Sequence, residues 1–589
     1  MIDFICIPQT RINKMNEIPS SLTKNFHFKI NENFSYHLFC DGRLCKEFTR
    51  GHDLIIFLGD FIIAEDQQDK PVFFEKDDLS FEPEMIRDFP GIFYLIQYNT
   101  REKFIRIFTS IFSLLPVYYL NNYQGIIVSS KDFYIKQLSW KSHELNKKFM
   151  VQQVLFNYGL FSESRYESIK TTQVNEYIVI RLNQIRFHIH TSIQDYFVKS
   201  PVQVKKSLEY LPDLFIRSSV KYFPADSAAI AFTSGFDSRV LISLAKQLGN
   251  PFISFAFGSR KSPDVSIPIE LARKIDFKFI PIYLDQPDYF KVFIGLGKDL
   301  IRLSGGQSNY LYTHFLYSSR ILSKSSTYLL TGLFGSEILR GFHRGGAVTA
   351  QSIIDLFREE EHVWVEHIRH SPVFNVLNKE MFREVIEWVI EEMLTYRKSL
   401  KNDLTLNQQL YAFIFNEAFR KLYGSIITAQ MQYQLVRNPF LDFGFLKEVL
   451  ATKLSGVNNV FITHNPLKRF KGQLLYPHIL NKTSNRSFLT SATGKGYTPE
   501  DLLSLKGKLR ITGSYLKKYF MKSFDPVDLD NLGLLSGIGY NKDHFIETIE
   551  NTDLLNKDYV LKELEQISSI KNIRQRDLLI LALSIADKA

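Results

Sequence analysis

The chain contains only three cysteines, Cys6, Cys40 and Cys45, and all of them lie near its amino terminus. Three thiols are too few for a disulfide framework or a four-thiolate zinc site, so we expect a reduced, cytoplasmic protein. No signal peptide is expected, because Asp3 and a proline interrupt the first apolar residues. The best apolar run near the end, residues 578–585, is far too short for a membrane span.

Long basic blocks, internal repeats and low-complexity segments are also missing. The net charge of +10 is spread along the sequence, which is typical of a solvated surface, and a nucleic-acid partner is therefore not expected. By contrast, apolar residues make up 45% of the 589 residues and aromatic residues 14%. This composition and length predict several domains with sizeable cores.

Two patterns of apolar residues divide the chain. Up to about residue 195, short runs alternate apolar and polar residues between turns, which predicts antiparallel sheets. From Val204 to about Phe342 helices alternate with strands, as in a parallel sheet covered by helices, and the remainder is mostly helical, with candidates at 352–368, 379–396 and 406–432. With residues 199–201 as a linker, the predicted domains are 1–198 and 204–589.

The most informative segment is the apolar strand 228–231, which ends in a turn of small and hydroxyl-bearing residues before a helical pattern begins. Such a turn lets backbone amides, hydroxyls and the positive end of a helix meet at an anion, although a simple helix cap has the same composition. It lacks the spacing of a Walker loop. The residues predicted to hold phosphate are Thr233, Ser234, Gly235 and Ser238, and Asp237 would supply a carboxylate to magnesium.

This turn resembles the S-G-G-x-D-S loop of the ATP pyrophosphatases, with Ser234 in place of one glycine. Further segments follow in order: 252–258 with Asp264, 328–342, 437–442 (R-N-P-F-L-D) and 494–497 (G-K-G-Y). Together they resemble the synthetase domain of the asparagine synthetase family. The resemblance implies an α/β parallel-sheet ATP-pyrophosphatase domain, of the adenine nucleotide α-hydrolase-like kind, with a helical C-terminal part.

The first part of the chain resembles the glutaminase domain of the same family at 57–60, 89–94, 115–119 and 128–130. The resemblance implies an α+β, Ntn-hydrolase-like domain of antiparallel sheets. Its chemistry requires a cysteine after the initiator methionine, but Ile2 stands there, and Leu58 replaces the asparagine that binds the oxyanion. We therefore expect a degenerate amidotransferase domain. Only removal of a five-residue propeptide would expose Cys6, which we interpret instead as part of a buried strand.

The resemblance also implies the reaction. The family binds ATP and Mg²⁺, lets a carboxylate attack the α-phosphorus, and then lets ammonia or an amine attack the acyl-adenylate. The substrate here would be a small-molecule or peptide carboxylate, and the oligomeric state, monomer or homodimer, stays open. Lys495 would stabilise the transition states. Around adenosine the resemblance places Phe232, Phe257, Thr331 and Gly332.

The turn 331–341 departs from the family pattern. Aligned without a gap, the family's first glutamate becomes Leu333 and its metal-binding aspartate becomes Ser336. Shifted by one residue, the alignment makes Glu337 the second metal ligand, and this is the interpretation that we favour. In both alignments the glutamate used in aspartyl adenylate formation is lost.

Three hypotheses on function follow. The first is an AMP-forming amide ligase, similar to lasso-peptide cyclases and β-lactam synthetases, with asparagine synthesis as its conservative form. The second is a catalytically inactive nucleotide-binding scaffold, which the residues Ser234, Leu333 and Ser336 favour. The third is a nucleic-acid-modifying enzyme with the same loop, against which the N-terminal resemblance argues.

Overall fold

The computed structural model describes residues 2–11, 18–32, 34–62, 81–122, 125–139, 143–181, 184–483, 486–520 and 530–587. Its first part contains two six-stranded antiparallel sheets, with strand orders β10-β8-β9-β1-β3-β2 and β12-β11-β7-β6-β5-β4. The strands are β1 (Phe4–Pro8), β2 (Lys24–Lys29), β3 (Ser35–Cys40), β4 (Cys45–Arg50), β5 (Asp53–Phe61), β6 (Gly91–Asn99), β7 (Phe104–Thr109), β8 (Tyr118–Asn122), β9 (Gly125–Ser129), β10 (Lys170–Thr171), β11 (Glu176–Arg181) and β12 (Gln184–Ile189).

Apolar side chains join these two sheets face to face. The ring of Phe4 in the first sheet packs edge-on against Tyr94 in the second at 5.0 Å, and Phe28 stacks on Tyr98 at 4.8 Å. Strand β1 is buried along its whole length because it is central in its sheet and covered on both faces. Phe4 faces the second sheet, whereas Ile5 packs in a separate apolar cluster that includes Ile135. The predicted antiparallel sheets are thus confirmed for this part of the chain.

A five-stranded parallel sheet with the order β15-β14-β13-β16-β17 follows. Its strands are β13 (Ala228–Ala231), β14 (Phe252–Gly258), β15 (Phe279–Tyr283), β16 (Tyr328–Leu330) and β17 (Leu435–Arg437). From β13 the chain first builds outward through β14 and β15, and then returns to place β16 on the other side. The loops after β13 and β16 therefore diverge at the carboxyl edge, the point where open α/β sheets form ligand crevices.

The helices of the described ranges comprise two in the antiparallel part and a larger set that accompanies and follows the parallel sheet. They are α1 (Asp132–Leu138), α2 (Lys147–Phe156), α3 (Val204–Ser219), α4 (Phe236–Leu248), α5 (Pro263–Ile275), α6 (Pro287–Leu303), α7 (Thr313–Leu322), α8 (Gly335–Leu339), α9 (Gln351–Arg358), α10 (Glu361–Arg369), α11 (Lys379–Ser399), α12 (Leu406–Phe413), α13 (Gly424–Gln430), α14 (Phe443–Leu450), α15 (Pro466–Arg469), α16 (Leu475–Lys482), α17 (Arg486–Thr490), α18 (Leu505–Phe520), α19 (Leu534–Tyr540), α20 (Lys542–Glu550), α21 (Lys557–Glu565) and α22 (Ile573–Ala586). None of the helices in the described ranges is long and apolar enough to cross a membrane.

The helix expected at 352–368 is in fact two helices. Glu359 and Glu360 are extended, with ψ of 162° and 148°, and the chain turns between α9 and α10. The indole of Trp364 then donates a hydrogen bond of 2.8 Å to the carbonyl of Ser352, which holds the two helices together. The stretch expected at 406–432 is helical, but its middle, Ile414–Tyr423, is a π-helix.

A buried ion pair joins the antiparallel part to the parallel sheet. Arg437, at the end of β17, binds both carboxylate oxygens of Asp60 in β5, at 2.7 and 3.0 Å. The planar guanidinium fits a carboxylate in this two-bonded geometry. The two parts of the chain therefore contact each other next to the carboxyl edge of the parallel sheet.

Candidate functional site

The candidate site lies where β13 and β16 end. Asp237 stands in the first turn of α4, which follows β13, and Glu337 stands in the short helix α8, which follows β16. Because β13 and β16 are parallel neighbours, both carboxylates emerge at the same edge of the sheet. Gly332 makes the approach possible, since a Cβ atom added there would lie 2.8 Å from the Cβ of Asp237.

The loop between β13 and α4 is held by its own hydroxyl groups. The amide of Thr233 donates to Ser238 Oγ at 3.2 Å, and the same hydroxyl donates back to the Thr233 carbonyl at 3.2 Å. Ser234 Oγ donates to Asp264 in the first turn of α5 at 2.6 Å, and the Gly235 amide donates to Thr233 Oγ1 at 3.3 Å. These hydroxyl groups shape the loop, and Gly235 caps the amino-terminal end of α4, a favourable position for an anion.

Two hydroxyls bind the carboxylate of Asp237. Ser336 Oγ donates to one oxygen at 2.8 Å, and the hydroxyl of Tyr476 donates to the other. Burial raises the pKa of Asp237, while these hydroxyls and Arg340 favour the ionised form and oppose the rise. Neither Tyr476 nor Arg340 was among the residues predicted from the sequence, and no local pattern distinguishes them.

Glu337 lies in a similar environment. Burial and the neighbouring Asp237 raise its pKa, and Arg340 acts against them. The hydroxyl of Tyr423 hydrogen-bonds the Glu337 carboxylate. Two buried carboxylates with raised pKa values, that of Glu337 raised in part by Asp237, are a favourable place for a cation, because the cation stabilises their ionised forms.

These two carboxylates fit Mg²⁺. Within the described ranges no group of three or more histidine, cysteine or acidic residues could hold a metal. Magnesium nevertheless commonly uses one or two protein carboxylates together with substrate phosphates. Each oxygen of Asp237 accepts one hydrogen bond and keeps a second lone pair, so Asp237 remains able to act as a ligand.

Arg239 joins the loop after β13 to a distant segment. Its fully buried guanidinium donates to the carbonyls of Ser491 at 2.6 Å, Ala492 at 2.7 Å, Phe488 at 3.2 Å and Ser234 at 3.3 Å. Burial lowers its pKa to about 10, so the side chain stays cationic near neutral pH. Sequence reasoning missed this residue, although a cation within the apolar pattern of α4 was a signal of a buried partner.

The anchored segment leads directly to Lys495. Its backbone amide donates to Thr493 Oγ1 at 3.3 Å, and Gly496 has a positive φ of 84°, as a tight turn requires. The turn lies against the loop after β13, since a Cβ added to Gly494 would lie 2.9 Å from Ser234 Oγ. The exposed Lys495 ammonium lies 5.5 Å from the ring centroid of Phe470. The structure thus brings Lys495 and Asp237 to the same region.

The residues predicted around adenosine differ in accessibility. The side chain of Phe232 is fully buried against Phe277 and Phe488, so only its backbone is available to a ligand. Phe257, at the end of β14, is partly buried and packs on Phe315 at 5.3 Å. Thr331 and Gly332 directly follow β16, and the Thr331 amide donates a hydrogen bond of 3.1 Å to the carbonyl of Arg437.

The residues on which any glutaminase activity of this chain would depend are buried in the core. Ile2 and Leu58 are 4% and 2% exposed, and Cys6 is completely buried in β1. Burial raises the pKa of the Cys6 thiol to about 12, so thiolate is scarce at neutral pH. Asp60 is engaged by Arg437.

Comparison with protein-family models and with curated proteins finds no match to the chain.

Proposed function

We propose that the protein is an ATP-dependent, AMP-forming amide-bond ligase of the asparagine synthetase kind. It would activate a carboxylate as an acyl-adenylate and transfer the acyl group to ammonia or an amine. The observation that carries this proposal is the convergence of Asp237, Glu337 and the Lys495 turn at the carboxyl edge of a parallel sheet. The loop after β13 would then be a pyrophosphatase loop, and the sheets of the first part an Ntn-like scaffold.

The chemistry requires control of charge. Mg²⁺, when bound, would neutralise phosphate charge and polarise the bond that releases pyrophosphate. Asp237 and Glu337 would hold it against the nucleotide, and the amides at the start of α4 would bind the leaving phosphates. Lys495 would place its ammonium near the charge that develops during adenylation and acyl transfer, where a preorganised cation acts most strongly.

The amine would come from solution or from a second substrate. Ile2 has no nucleophile to attack glutamine, Leu58 has no donor for an oxyanion, and the buried Cys6 thiol is poorly ionised. Asparagine synthesis with free ammonia is the conservative form of the proposal. Another carboxylate is the alternative, since the turn with Leu333 and Ser336 departs from the family pattern.

A nucleotide-binding scaffold without catalysis is the second candidate. Both carboxylate oxygens of Asp237 already accept hydrogen bonds, one from the hydroxyl of Ser336 and one from that of Tyr476. If these contacts persist with nucleotide bound, magnesium is held weakly and turnover fails. Pyrophosphate release separates the two candidates.

Two variants test the ligase. We expect Asp237→Ala to weaken Mg-ATP binding at least tenfold in calorimetry, while Asp213→Ala, which removes a carboxylate from a surface ion pair with Lys482, leaves it unchanged. Lys495→Ala should bind Mg-ATP almost normally but lose about a hundredfold in pyrophosphate release with candidate carboxylates. Unchanged affinity in Asp237→Ala would refute the nucleotide site. Equal turnover in Lys495→Ala would refute the role of Lys495, and absence of release with every carboxylate would favour the scaffold.

A further inference from the structure

Two of the three cysteines lie side by side where the chain crosses between the two antiparallel sheets. Cys40 ends β3 in the first sheet and Cys45 begins β4 in the second, with a short turn, Gly42–Leu44, between them. The Cys40 thiol donates a hydrogen bond to the Cys45 sulfur. The two side chains therefore form a contacting pair of thiols, which we call the dithiol.

The turn between the two cysteines is held by Asp41. Its buried carboxylate accepts hydrogen bonds from the Arg43 amide at 3.1 Å and from the Arg43 guanidinium at 2.7 and 3.0 Å. The Gly42 amide donates to Thr23 Oγ1 at 3.3 Å. None of the residues Gly42–Leu44 is buried. The dithiol is thus in contact before any reaction, and the turn lies near the surface, where it can move enough to bring the sulfur atoms to the disulfide bond length of about 2.05 Å.

The two thiols differ in accessibility and in charge state. Cys40 is completely buried, whereas Cys45 is partly exposed at the start of an edge strand. Lys24 pairs with Cys40 in the register of β2 and β3, and its ammonium hydrogen-bonds the Cys45 sulfur. The hydrogen bond from Cys40 and the Lys24 cation lower the pKa of Cys45, whereas the hydrogen bond to Cys45 and burial raise the pKa of Cys40. Cys45 is therefore the thiol that meets a reagent as a thiolate.

Neither a metal site nor simple core packing accounts for the dithiol. The described ranges hold no group of three or more histidine, cysteine or acidic residues that could bind a metal, whereas structural zinc takes four ligands. Burial accounts for Cys40, because buried structural cysteines behave as small apolar side chains. It does not account for Cys45, since a partly exposed thiol beside a cation is the environment of a reactive cysteine.

We propose that the dithiol is a redox site, at which a low-molecular-weight disulfide oxidises Cys40 and Cys45 to an intramolecular disulfide. The Cys45 thiolate attacks one sulfur of the reagent and displaces the first thiolate. The Cys40 thiol then loses its proton, and its sulfur attacks the Cys45 sulfur and displaces the second. Two electrons and two protons pass in total from the dithiol to the reagent, which becomes two thiols. This site is independent of the proposed ligase function.

Mass spectrometry after reaction with oxidised glutathione tests the site. The reduced full-length protein is incubated with the reagent near neutral pH, alkylated with N-ethylmaleimide in denaturant and digested with trypsin, which cleaves after Arg43 and so separates the two cysteines. We expect peptides 30–43 and 44–46 to be joined by a disulfide that dithiothreitol reverses, and Cys6 to be recovered alkylated. A stable glutathione adduct on Cys45, or free thiols at both positions at every glutathione concentration, would overturn the proposal.

Two serine variants assign the roles of the thiols. Cys40→Ser removes the second attacking sulfur, so Cys45 should accumulate as a mixed disulfide with glutathione. Cys45→Ser removes the accessible thiol, so Cys40 should react at least about tenfold more slowly than the dithiol of the wild-type protein. Circular dichroism checks that both variants fold. Reaction of Cys40 at the wild-type rate in Cys45→Ser would refute the assignment of Cys45 as the attacking thiolate.

A lysine variant tests the site without altering a thiol. Lys24 is partly exposed and also forms an ion pair with Glu47, which is partly exposed as well, so Lys24→Gln leaves no buried charge without a partner. We expect oxidation about threefold to tenfold slower, because the thiolate fraction of Cys45 falls. Lys29→Gln removes an exposed charge from the other end of β2 and is the matched control, with the wild-type rate expected. A wild-type rate in Lys24→Gln would contradict the activated thiolate on which the proposal rests.

Discussion

The hydroxyl of Tyr476 should determine the pH below which the proposed nucleotide site loses affinity for Mg-ATP. It donates to Asp237 from α16, far away in sequence, and it favours the ionised carboxylate against the effect of burial. Replacing Tyr476 by phenylalanine removes the donor and keeps the ring, which packs against Phe236 and Phe440. The pKa of Asp237 therefore rises above its wild-type value.

The size of the effect follows from the hydrogen bond. A hydrogen bond to a charged group contributes about 1.5–3 kcal/mol, and 1.4 kcal/mol corresponds to a factor of ten in affinity. Magnesium would bind the ionised carboxylate, so the affinity of the variant would fall below that of wild type only at pH values where Asp237 is protonated. We expect Tyr476→Phe to match wild type at alkaline pH and to bind Mg-ATP about tenfold to a hundredfold more weakly at acidic pH.

The assay is calorimetric titration with Mg-ATP at a series of pH values from about 5.5 to 9. Tyr411→Phe is the matched control, because the Tyr411 hydroxyl is also buried but donates to the backbone carbonyl of Arg340 at 2.7 Å. Its affinity ratio to wild type should not vary with pH. A ratio for Tyr476→Phe that is equally flat would refute the reasoning. Tighter binding at every pH would show instead that the hydroxyl competes with the metal.

Two further predictions concern the same site. Arg239→Lys keeps the charge but loses the guanidinium that binds four carbonyls, so we expect a lower melting temperature and about a tenfold lower turnover. Because Arg239 would act by positioning Lys495, the double variant with Lys495→Ala should be scarcely slower than Lys495→Ala alone. Losses of turnover that multiply in the double variant would contradict this. Folding raises the pKa of Glu337, so its carboxyl group increasingly destabilises the protein as the pH rises above the pKa of this group in the unfolded chain. Glu337→Gln should therefore be more stable by about 1 kcal/mol at pH 8, and this gain should disappear below about pH 4. Thermal melts that show the same gain at both pH values would contradict this.

The sequence by itself determined the local elements of the site. Strand β14 has the predicted bounds of 252–258, and α5 begins after Ser262, whose side chain caps it. These features are local, since short apolar runs bounded by turn residues specify strands and hydroxyl residues cap helices. The pattern also placed Asp237 at the start of a helix after a strand, where the structure has it.

The tertiary structure decided which side chains meet there. Ser238, which was expected to bind phosphate, exchanges two hydrogen bonds with Thr233, and these depend on a rotamer and a loop geometry that the sequence does not reveal. Tyr476, Arg239 and Arg340 lie in ordinary amphipathic or loop sequences, and their importance depends on distant partners. Such contacts arise from the packing of elements far apart in the chain, and no local propensity or spacing encodes them.

The strand order decided the site itself. The residue pattern predicted a parallel sheet without its strand order, and the family resemblance paired Glu337 with Asp237 as metal ligands. In the structure the return of the chain from β15 to β16 brings these two residues together. The same applies to Asp60 and Arg437, which join the two parts of the chain although each belongs to a strand of a different sheet. Local composition determines that a strand forms, whereas its neighbour is selected by the free energy of the whole packed core.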